Sequence, residues 1–255
     1  MSALLEIRGL RKDFSGAAGP VTALEGIDLD VAEGELAVIV GPSGCGKSTL
    51  LNIVAGLEHG TGGEARIDGR PITGPGADRG MVFQSYTLFP WLSVRENVEF
   101  GLRIKGVPKA DRAATARRYL GLVGLADFEN ALPKELSGGM KQRVAIARVL
   151  ANQPRMLLMD EPFGALDAQT RLVLQELLLR IRAQERSTVL FITHDIDEAI
   201  LLADNVYVMS RRPGRLKARI AVDIPRPRDH RVTVSADFAA VKARIMELLW
   251  EEITV

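Results

Sequence analysis

The five residues Leu36–Val40 are all apolar, and Gly41-Pro-Ser-Gly-Cys-Gly-Lys-Ser48 follows at once. A short apolar run without alternation fits a strand buried on both faces, as in a parallel sheet. Lys47–Leu57 then reads as a helix. Strand, glycine loop and helix in that order confine the chain to α/β folds that present a helix N-terminus at a strand end. Successive N–H groups of such a loop point inward as an anion nest, and the helix adds its positive end. Gly41, Gly44 and Gly46 permit close backbone approach, and Lys47 adds a point charge suited to the β- and γ-phosphates of a nucleotide. Ser48 can place its hydroxyl on Mg²⁺, and Thr49 lies beside the same phosphates; Pro42, Ser43 and Cys45 complete the loop.

Three more strand ends carry polar side chains that fit one reaction. Met156–Met159 is apolar and ends in Asp160-Glu161. Carboxylates are expensive there unless a metal or bound partner offsets their desolvation. Asp160 with Ser48 suits a hard Mg²⁺, and Glu161 can polarise a water for attack on a γ-phosphate. The plainer reading is two solvated acids capping a strand. Gly80–Gln84 reads as another apolar strand ending in a polar side chain, and Gln84 could reach the metal or that water, although alone it reads as a turn. His194 follows Val189–Thr193, where a neutral imidazole can contact the γ-phosphate; a lone histidine is otherwise structural. Phosphoryl transfer asks mainly for positioning and charge neutralisation, which Lys47, Gln84, Glu161 and His194 supply.

Ser137-Gly138-Gly139 precedes a helix that begins near Met140. A hydroxyl, glycine N–H groups and a helix N-terminus make a second anion-binding device. One phosphate does not need two such devices from one chain. A head-to-tail pair of identical chains explains both, each Ser137 loop closing over the nucleotide of the other; a plain helix cap is the alternative.

Residues 4–10 and 21–40 read as strands broken by a loop at Ser15–Pro20, with a turn at Ala32–Glu35. Short strands and turns follow through Gly60–Gly80. Pro90–Asn152 reads as a mostly helical insertion, with helical periodicity at 110–123 and 139–152. The α/β core resumes at Met156, followed by helices near Gln169–Ala183 and Asp195–Ala203. Asp204–Ile224 reads as strands with a turn at Pro213-Gly214. Pro225-Arg-Pro-Arg-Asp-His-Arg231 is a polar connector. Phe238, Val241, Ile245, Leu248 and Leu249 then mark a last helix that packs on the core or serves a partner.

With 33 basic against 32 acidic residues the net charge is +1, so no basic footprint for nucleic acid is present. Cys45 is the single cysteine, which excludes an intrachain disulfide and fits a reducing compartment. The first residues lack the pattern of a secretory signal. Apolar runs fall far short of the roughly 20 residues that cross a bilayer, so a membrane role must be peripheral.

Taken together these motifs resemble the nucleotide-binding subunit of ATP-binding cassette transporters over about residues 4–225. Gly41–Ser48 with Thr49 matches the Walker A loop, Gln84 the Q-loop, and Leu136–Met140 the signature. Leu157–Asp160 is similar to Walker B, followed by its catalytic Glu161; Asp167 corresponds to the D-loop aspartate and His194 to the switch histidine. The resemblance implies a P-loop cassette with a mostly parallel core sheet, an antiparallel β subdomain and an inserted helical subdomain. It places the cassette at 1–225 (core 1–89 and 153–225, helical part 90–152) and a C-terminal connector and helix at 226–255. ATP and Mg²⁺ are the expected ligands, bound by Gly41–Thr49, Gln84, Asp167 and the partner's signature residues 137–139, with Ser48, Gln84 and Asp160 toward the metal. Phe14 falls where a tyrosine often stacks on adenine; burial is the other reading. Met140 replaces the usual glutamine, and Gly164 stands where serine is common.

The resemblance also implies partners. Pro90-Trp91-Leu92 falls where importer cassettes meet the coupling helix of a permease, and an exposed tryptophan there would fit docking. The stretches Val82–Val94 and Ile224–Arg231 are most similar to importers of nitrate, aliphatic sulfonates and taurine. The expectation is a homodimeric ATPase on the cytoplasmic face of a bacterial inner membrane, serving permease subunits and, indirectly, a periplasmic or surface solute-binding protein. An importer of another small organic solute, a soluble cassette of ribosome or nucleic-acid metabolism, and a nonhydrolytic scaffold are the alternatives.

Overall fold

Two long strands, β1 (Ala3–Gly16) and β2 (Gly19–Ala32), pair antiparallel from Ala3↔Ala32 to Gly16↔Gly19 in the computed structural model, which describes residues 3–16 and 19–253. The strands run further than the sequence indicated, so most of the expected Ser15–Pro20 loop is strand; its centre, Ala17 and Ala18, lies outside the described residues. Residues 1–2 and 254–255, the ends of the expected domain ranges, lie outside them as well. β4 (Gly62–Ile67) and β5 (Arg70–Pro71) complete a four-stranded sheet in the order β2-β1-β4-β5.

The chain divides into two units, residues 1–76 with 186–255, and residues 77–185. The first unit holds that antiparallel sheet. It also holds β3 (Leu36–Val40), β8 (Thr188–Ile192), β9 (Asn205–Met209) and β10 (Leu216–Ala221), in the order β10-β9-β3-β8. β3 pairs in parallel with both β8 and β9, and β10 is antiparallel to β9. Every residue of β3 and β8 is buried, as unbroken apolar runs require. The second unit pairs β6 (Arg79–Val82) in parallel with β7 (Met156–Asp160). Its helices are α2 (Val94–Ile104), α3 (Lys109–Leu122), α4 (Gly138–Leu150) and α5 (Ala168–Glu185). The mostly parallel core strands, antiparallel sheet and helical segment are the architecture the motifs implied.

Helix α2 is the element that periodicity did not single out. Ser93 caps it, with its hydroxyl accepting from Glu96 N–H at 3.2 Å while Glu96 returns a bond to Ser93 N–H at 2.8 Å. This capping box was legible as Ser-x-x-Glu, but no long apolar run followed to draw notice to it.

In the first unit, α1 (Lys47–Ala55) ends two residues before the expected Leu57. Gly56 stops it at φ 76, with its N–H donating to Ile53 C=O at 3.0 Å. Here glycine is required twice over, because a Cβ would also lie 2.0 Å from the carbonyl oxygen of Gly74. Gly69 has nearly the same φ, 72, with nothing within 4 Å of a Cβ. The chain closes with α6 (Ile196–Leu202), a short 3₁₀ turn (His230–Val234) and α7 (Ala236–Ile253), which packs against α6 and buries Phe238 and Ile245.

The two glycines separate backbone strain from collision. Gly69→Ala should cost about 1 kcal/mol, the penalty of a left-handed residue, and Gly56→Ala at least about twice that. Chemical denaturation of both variants checks this, and equal losses would contradict the contact with Gly74.

Candidate active site

The phosphate loop is wedged into the first unit by its glycines. Gly46, at φ 105, forms the N-terminal boundary of α1 and has no room for a side chain: a Cβ would meet Leu24 Cδ2 at 2.7 Å and the Ala23 carbonyl at 2.9 Å. From the other side Gly214 approaches so closely that a Cβ would lie 2.1 Å from the Cys45 carbonyl. The loop is therefore shaped by its packing against β2 and the turn before β10. Lys47 is buried, and its ammonium donates to the carbonyls of Gly41 at 2.8 Å and Pro42 at 2.9 Å. Cys45 is 1% exposed, and burial pushes its thiol pKa up. A neutral buried thiol suits a packing residue of the loop. Ser43, Gly44 and Ser48 are exposed, whereas Thr49 and Pro42 are half-buried.

His194 emerges next to this loop. Ile39 and Ile192 are paired in the parallel register, and Thr193 N–H donates to Ile39 C=O at 3.3 Å. The chain thus enters Gly41 and His194 from the same carboxyl edge of two adjacent strands, where ligands of α/β sheets bind. Phe14 is 40% exposed on β1, with the Lys12 ammonium 4.8 Å from its ring centre. The ring is open for stacking and is not a core side chain.

In the second unit the same logic places Gln84 and the two carboxylates together. Val82 pairs with Met159, so both strands deliver their following residues at one carboxyl edge. Gln84 and Asp160 line an open depression of about 520 Å³ with Phe83, Ser85, Tyr86 and Ala165. Glu161 holds a φ of 42, unusual for a residue with a side chain. Gly164 N–H donates to the Glu161 carbonyl at 3.1 Å and closes the turn. A Cβ on Gly164 would stand 3.7 Å from Glu161 Oε2 and 3.8 Å from Gln84 Nε2, so both side chains border this glycine. These are ordinary contact distances, and a serine Cβ would fit there without displacement.

Among the described residues no three His, Cys, Asp or Glu side chains gather as a metal-ion cluster. Within the second unit, the Gln84 amide and the Asp160 carboxylate on that depression are hard oxygen donors, of the kind that suits Mg²⁺ beside waters and substrate phosphate oxygens.

Ser137 caps α4, its hydroxyl accepting from Met140 N–H at 3.3 Å. Both glycines that follow face close neighbours: a Cβ on Gly138 would meet the Tyr86 hydroxyl at 2.7 Å, and one on Gly139 the Thr170 methyl at 2.5 Å. That methyl is fixed, because Asp167 accepts from Thr170 N–H at 2.9 Å and from its hydroxyl at 2.7 Å. Asp167 is thus the cap of α5, and these bonds hold its carboxyl below the usual range.

Two supporting side chains escaped the sequence reading. Arg148 of α4 donates to Thr87 through the carbonyl at 2.7 Å and the hydroxyl at 2.8 Å, tying the segment after Gln84 to the signature helix. Asn97 of α2 is fully buried; it accepts from Phe89 N–H at 2.8 Å and donates to the carbonyls of Phe89, Leu92 and Ser93 at 3.0–3.1 Å. Those bonds fix the turn that carries Trp91, which is 73% exposed with its ring centre 5.7 Å from that of Phe89. Nothing in the spacing of an isolated Arg or Asn on a helix announces such a role.

Gly139→Ala should lower stability by about 1–3 kcal/mol through overpacking against Thr170. In a Thr170→Ser background, where the hydroxyl remains and the methyl is gone, most of that loss should disappear in thermal melts. An equal loss in both backgrounds would contradict the assignment.

Residues 24–164 match the family model described as ABC transporter. A nitrate import ATP-binding protein of Synechocystis is 53% identical over 221 residues, covering 87% of this chain and 83% of that protein. An uncharacterized ABC transporter ATP-binding protein of Methanocaldococcus jannaschii is 50% identical over 253 residues, 99% of this chain and 94% of the relative. Among solved structures, the dimeric post-hydrolysis state of the ATP-binding cassette MJ0796 bound to ADP and Pi superposes with a TM-score of 0.76 at 33% identity, covering 87% of this chain and 100% of that one. With strand-end carboxylates, phosphate loop and signature in one chain, this protein belongs to the ABC transporter family as an ATP-binding, ATP-hydrolysing subunit.

Proposed function

We propose that the chain works as a head-to-tail homodimer on the cytoplasmic face of a cell membrane, hydrolysing Mg·ATP to drive uptake of a small anion. The observation that carries the catalytic part is the convergence of Glu161 Oε2 and Gln84 Nε2 on Gly164, at the carboxyl edge of β6 and β7. In this reading Glu161 takes a proton from the attacking water while the water oxygen bonds to the γ-phosphorus. The bond to the bridging oxygen breaks and leaves ADP. Gln84 orients the water, His194 contacts the γ-phosphate, and Lys47 moves from its loop carbonyls to the β- and γ-phosphates. Bound Mg²⁺ would neutralise charge on the phosphate oxygens, held by Ser48, Asp160 and Gln84. Gly41–Thr49 cradle the phosphates, Phe14 stacks on the adenine, and the partner chain supplies Ser137, Gly138 and Gly139, with Asp167 beside the nucleotide. Two observations support the pairing: the exposed Ser137 at the N-terminus of α4, and the dimeric assembly of the structurally similar cassette bound to ADP and Pi.

The importer reading rests on the nitrate-import relative and on the exposed ring of Trp91. Nitrate, an aliphatic sulfonate or taurine is the proposed solute. Permease subunits would dock near Pro90-Trp91-Leu92, and a periplasmic or surface solute-binding protein would deliver the anion to them. Among the described residues no helix is long and apolar enough to cross a membrane. The proposed division remains a cassette over 1–225, with its helical part at 90–152, and a C-terminal connector and helix over 226–255.

Glu161→Gln should keep ATP binding while lowering turnover at least about 100-fold, as loss of a general base does; single-turnover kinetics with a fluorescent nucleotide checks both quantities, and full activity would remove Glu161 from this role. For the transport reading, the tagged chain should copurify with an integral membrane protein. In proteoliposomes its ATPase should rise with the solute-binding protein loaded with nitrate, sulfonate or taurine. Stimulation only by a solute that carries neither a nitrate nor a sulfonate group would reject this solute class, and copurification with ribosomes would reject the importer.

A further inference from the structure

Arg226, which lies between two prolines, and Arg228, which follows the second, are heavily hydrogen-bonded side chains of the first unit that the nucleotide-site reading does not use. Arg228 is 7% exposed. One side of its guanidinium donates to the carbonyls of Ile200 at 3.0 Å, Leu201 at 3.5 Å and Ala203 at 2.6 Å. The other side donates to Val222 at 2.8 Å and to Ile224 at 3.0 and 2.8 Å. Arg226 donates to the carbonyl of Leu202 at 2.7 Å and pairs with Asp204 at 2.8 Å. The two arginines thus take four consecutive carbonyls, residues 200–203, where α6 ends.

A helix leaves its last four carbonyls without partners inside the helix. Cationic donors there satisfy them and also complement the negative end of the helix dipole. A capped helix end is by itself a stabilising device. What makes it more here is the length of α6 and what lies at its other end. The helix has seven residues, about 10 Å of rise. Its N-cap is Asp195, whose carboxylate accepts from Glu198 N–H at 3.1 Å. Asp195 N–H in turn donates to the Thr193 hydroxyl at 3.0 Å. His194 is the single residue between those two anchors. Its backbone is set by β8 on one side and by the placement of α6 on the other.

We propose that Arg226 and Arg228 are positioning residues for His194, acting through α6. The connector that follows β10 holds the carboxyl end of α6, and α6 holds the histidine at the carboxyl edge of β8. Lys242 of α7 adds an exposed pair to Asp197 on the first turn of α6 at 2.7 Å, which ties the last helix to the same lever. The catalytic consequence rests on the reading of His194 as a γ-phosphate contact. A lysine at 228 keeps the charge but lacks the planar fork that reaches carbonyls on both sides.

The test uses the full chain with Arg228→Lys and, as a second variant at a more exposed position, Arg226→Met. The chain has three histidines, His59, His194 and His230, so ring signals of histidine-labelled protein can be assigned by substituting each in turn. In both variants the His194 signal should move while that of His59 stays fixed. Turnover should fall, by about 10-fold or more for Arg228→Lys and by a smaller factor for Arg226→Met, as displacement of a catalytic group by a fraction of an ångström allows. KM for ATP should stay within about twofold, which separates misplacement of His194 from loss of nucleotide binding. An unmoved His194 signal in folded protein overturns the proposal, as does a rise in KM at constant turnover. If Arg228→Lys does not fold, Arg226→Met decides alone. Full turnover in His194→Ala would instead defeat the γ-phosphate reading, while the ring signals still report whether the arginines position the histidine.

Discussion

A buried ammonium on the first residue of α1 is the constraint around which the phosphate site is organised. Lys47 cannot be left without partners in that environment, and the loop turns two of its own carbonyls, Gly41 and Pro42, inward to hold it. Those carbonyls belong to the segment that joins β3 to α1, so the lysine fixes the curvature of the loop as well as its charge. Gly46 and Gly214 then admit Leu24, Ala23 and Cys45 at distances no side chain would permit. The loop is preorganised by packing, and a polyanion entering it would exchange with carbonyl partners rather than fold the loop around itself.

The second unit is organised by different means, a set of small side-chain locks around the strand ends. Asp167 fixes Thr170, Thr170 limits Gly139, and Tyr86 limits Gly138, so the signature turn is bounded by the segment after Gln84 and by the start of α5. Arg148 closes the circuit by binding Thr87 from the body of α4. Burial disfavours its charge, and its two bonds to Thr87 with the nearby Phe89 ring offset part of that cost. Glu161 at its left-handed φ sits where strain is tolerated because the surrounding turn, closed by Gly164, over-determines it. These contacts link the signature, the Gln84 segment and the Walker B turn to one another.

The sequence made the strand ends legible because each one combines a continuous apolar run with a polar residue that such a run does not need. Asp160, Gln84 and His194 were found that way, and the parallel registers of β3 with β8 and of β6 with β7 put them on carboxyl edges. Glycines announced the loops but not their neighbours: that Gly139 faces a methyl group and Gly56 a carbonyl depends on tertiary approach. Helix α2 lies inside the expected helical insertion, and periodicity does not single it out because Asn97 and Glu99 stand among its buried positions. The same substitution of polar for apolar marks Asn97 as the residue that holds the turn carrying Trp91. Arg228 reads in sequence as part of a polar connector, since a charged residue beside a proline is ordinarily solvated; the carbonyls at the end of α6, with those of Val222 and Ile224, explain why it is buried.

Asn97 has one more effect, on entropy. Its amide closes the backbone of residues 89–93 before anything touches Trp91, with four hydrogen bonds to that turn. A surface that meets the indole therefore does not have to order a loop. It immobilises a single side chain, at a cost of about 0.5–1.5 kcal/mol, where folding a mobile five-residue turn would add roughly 1–2 kcal/mol for each residue. The association rate through this ring is then set by diffusion and orientation, and no conformational search is imposed by the turn that presents it.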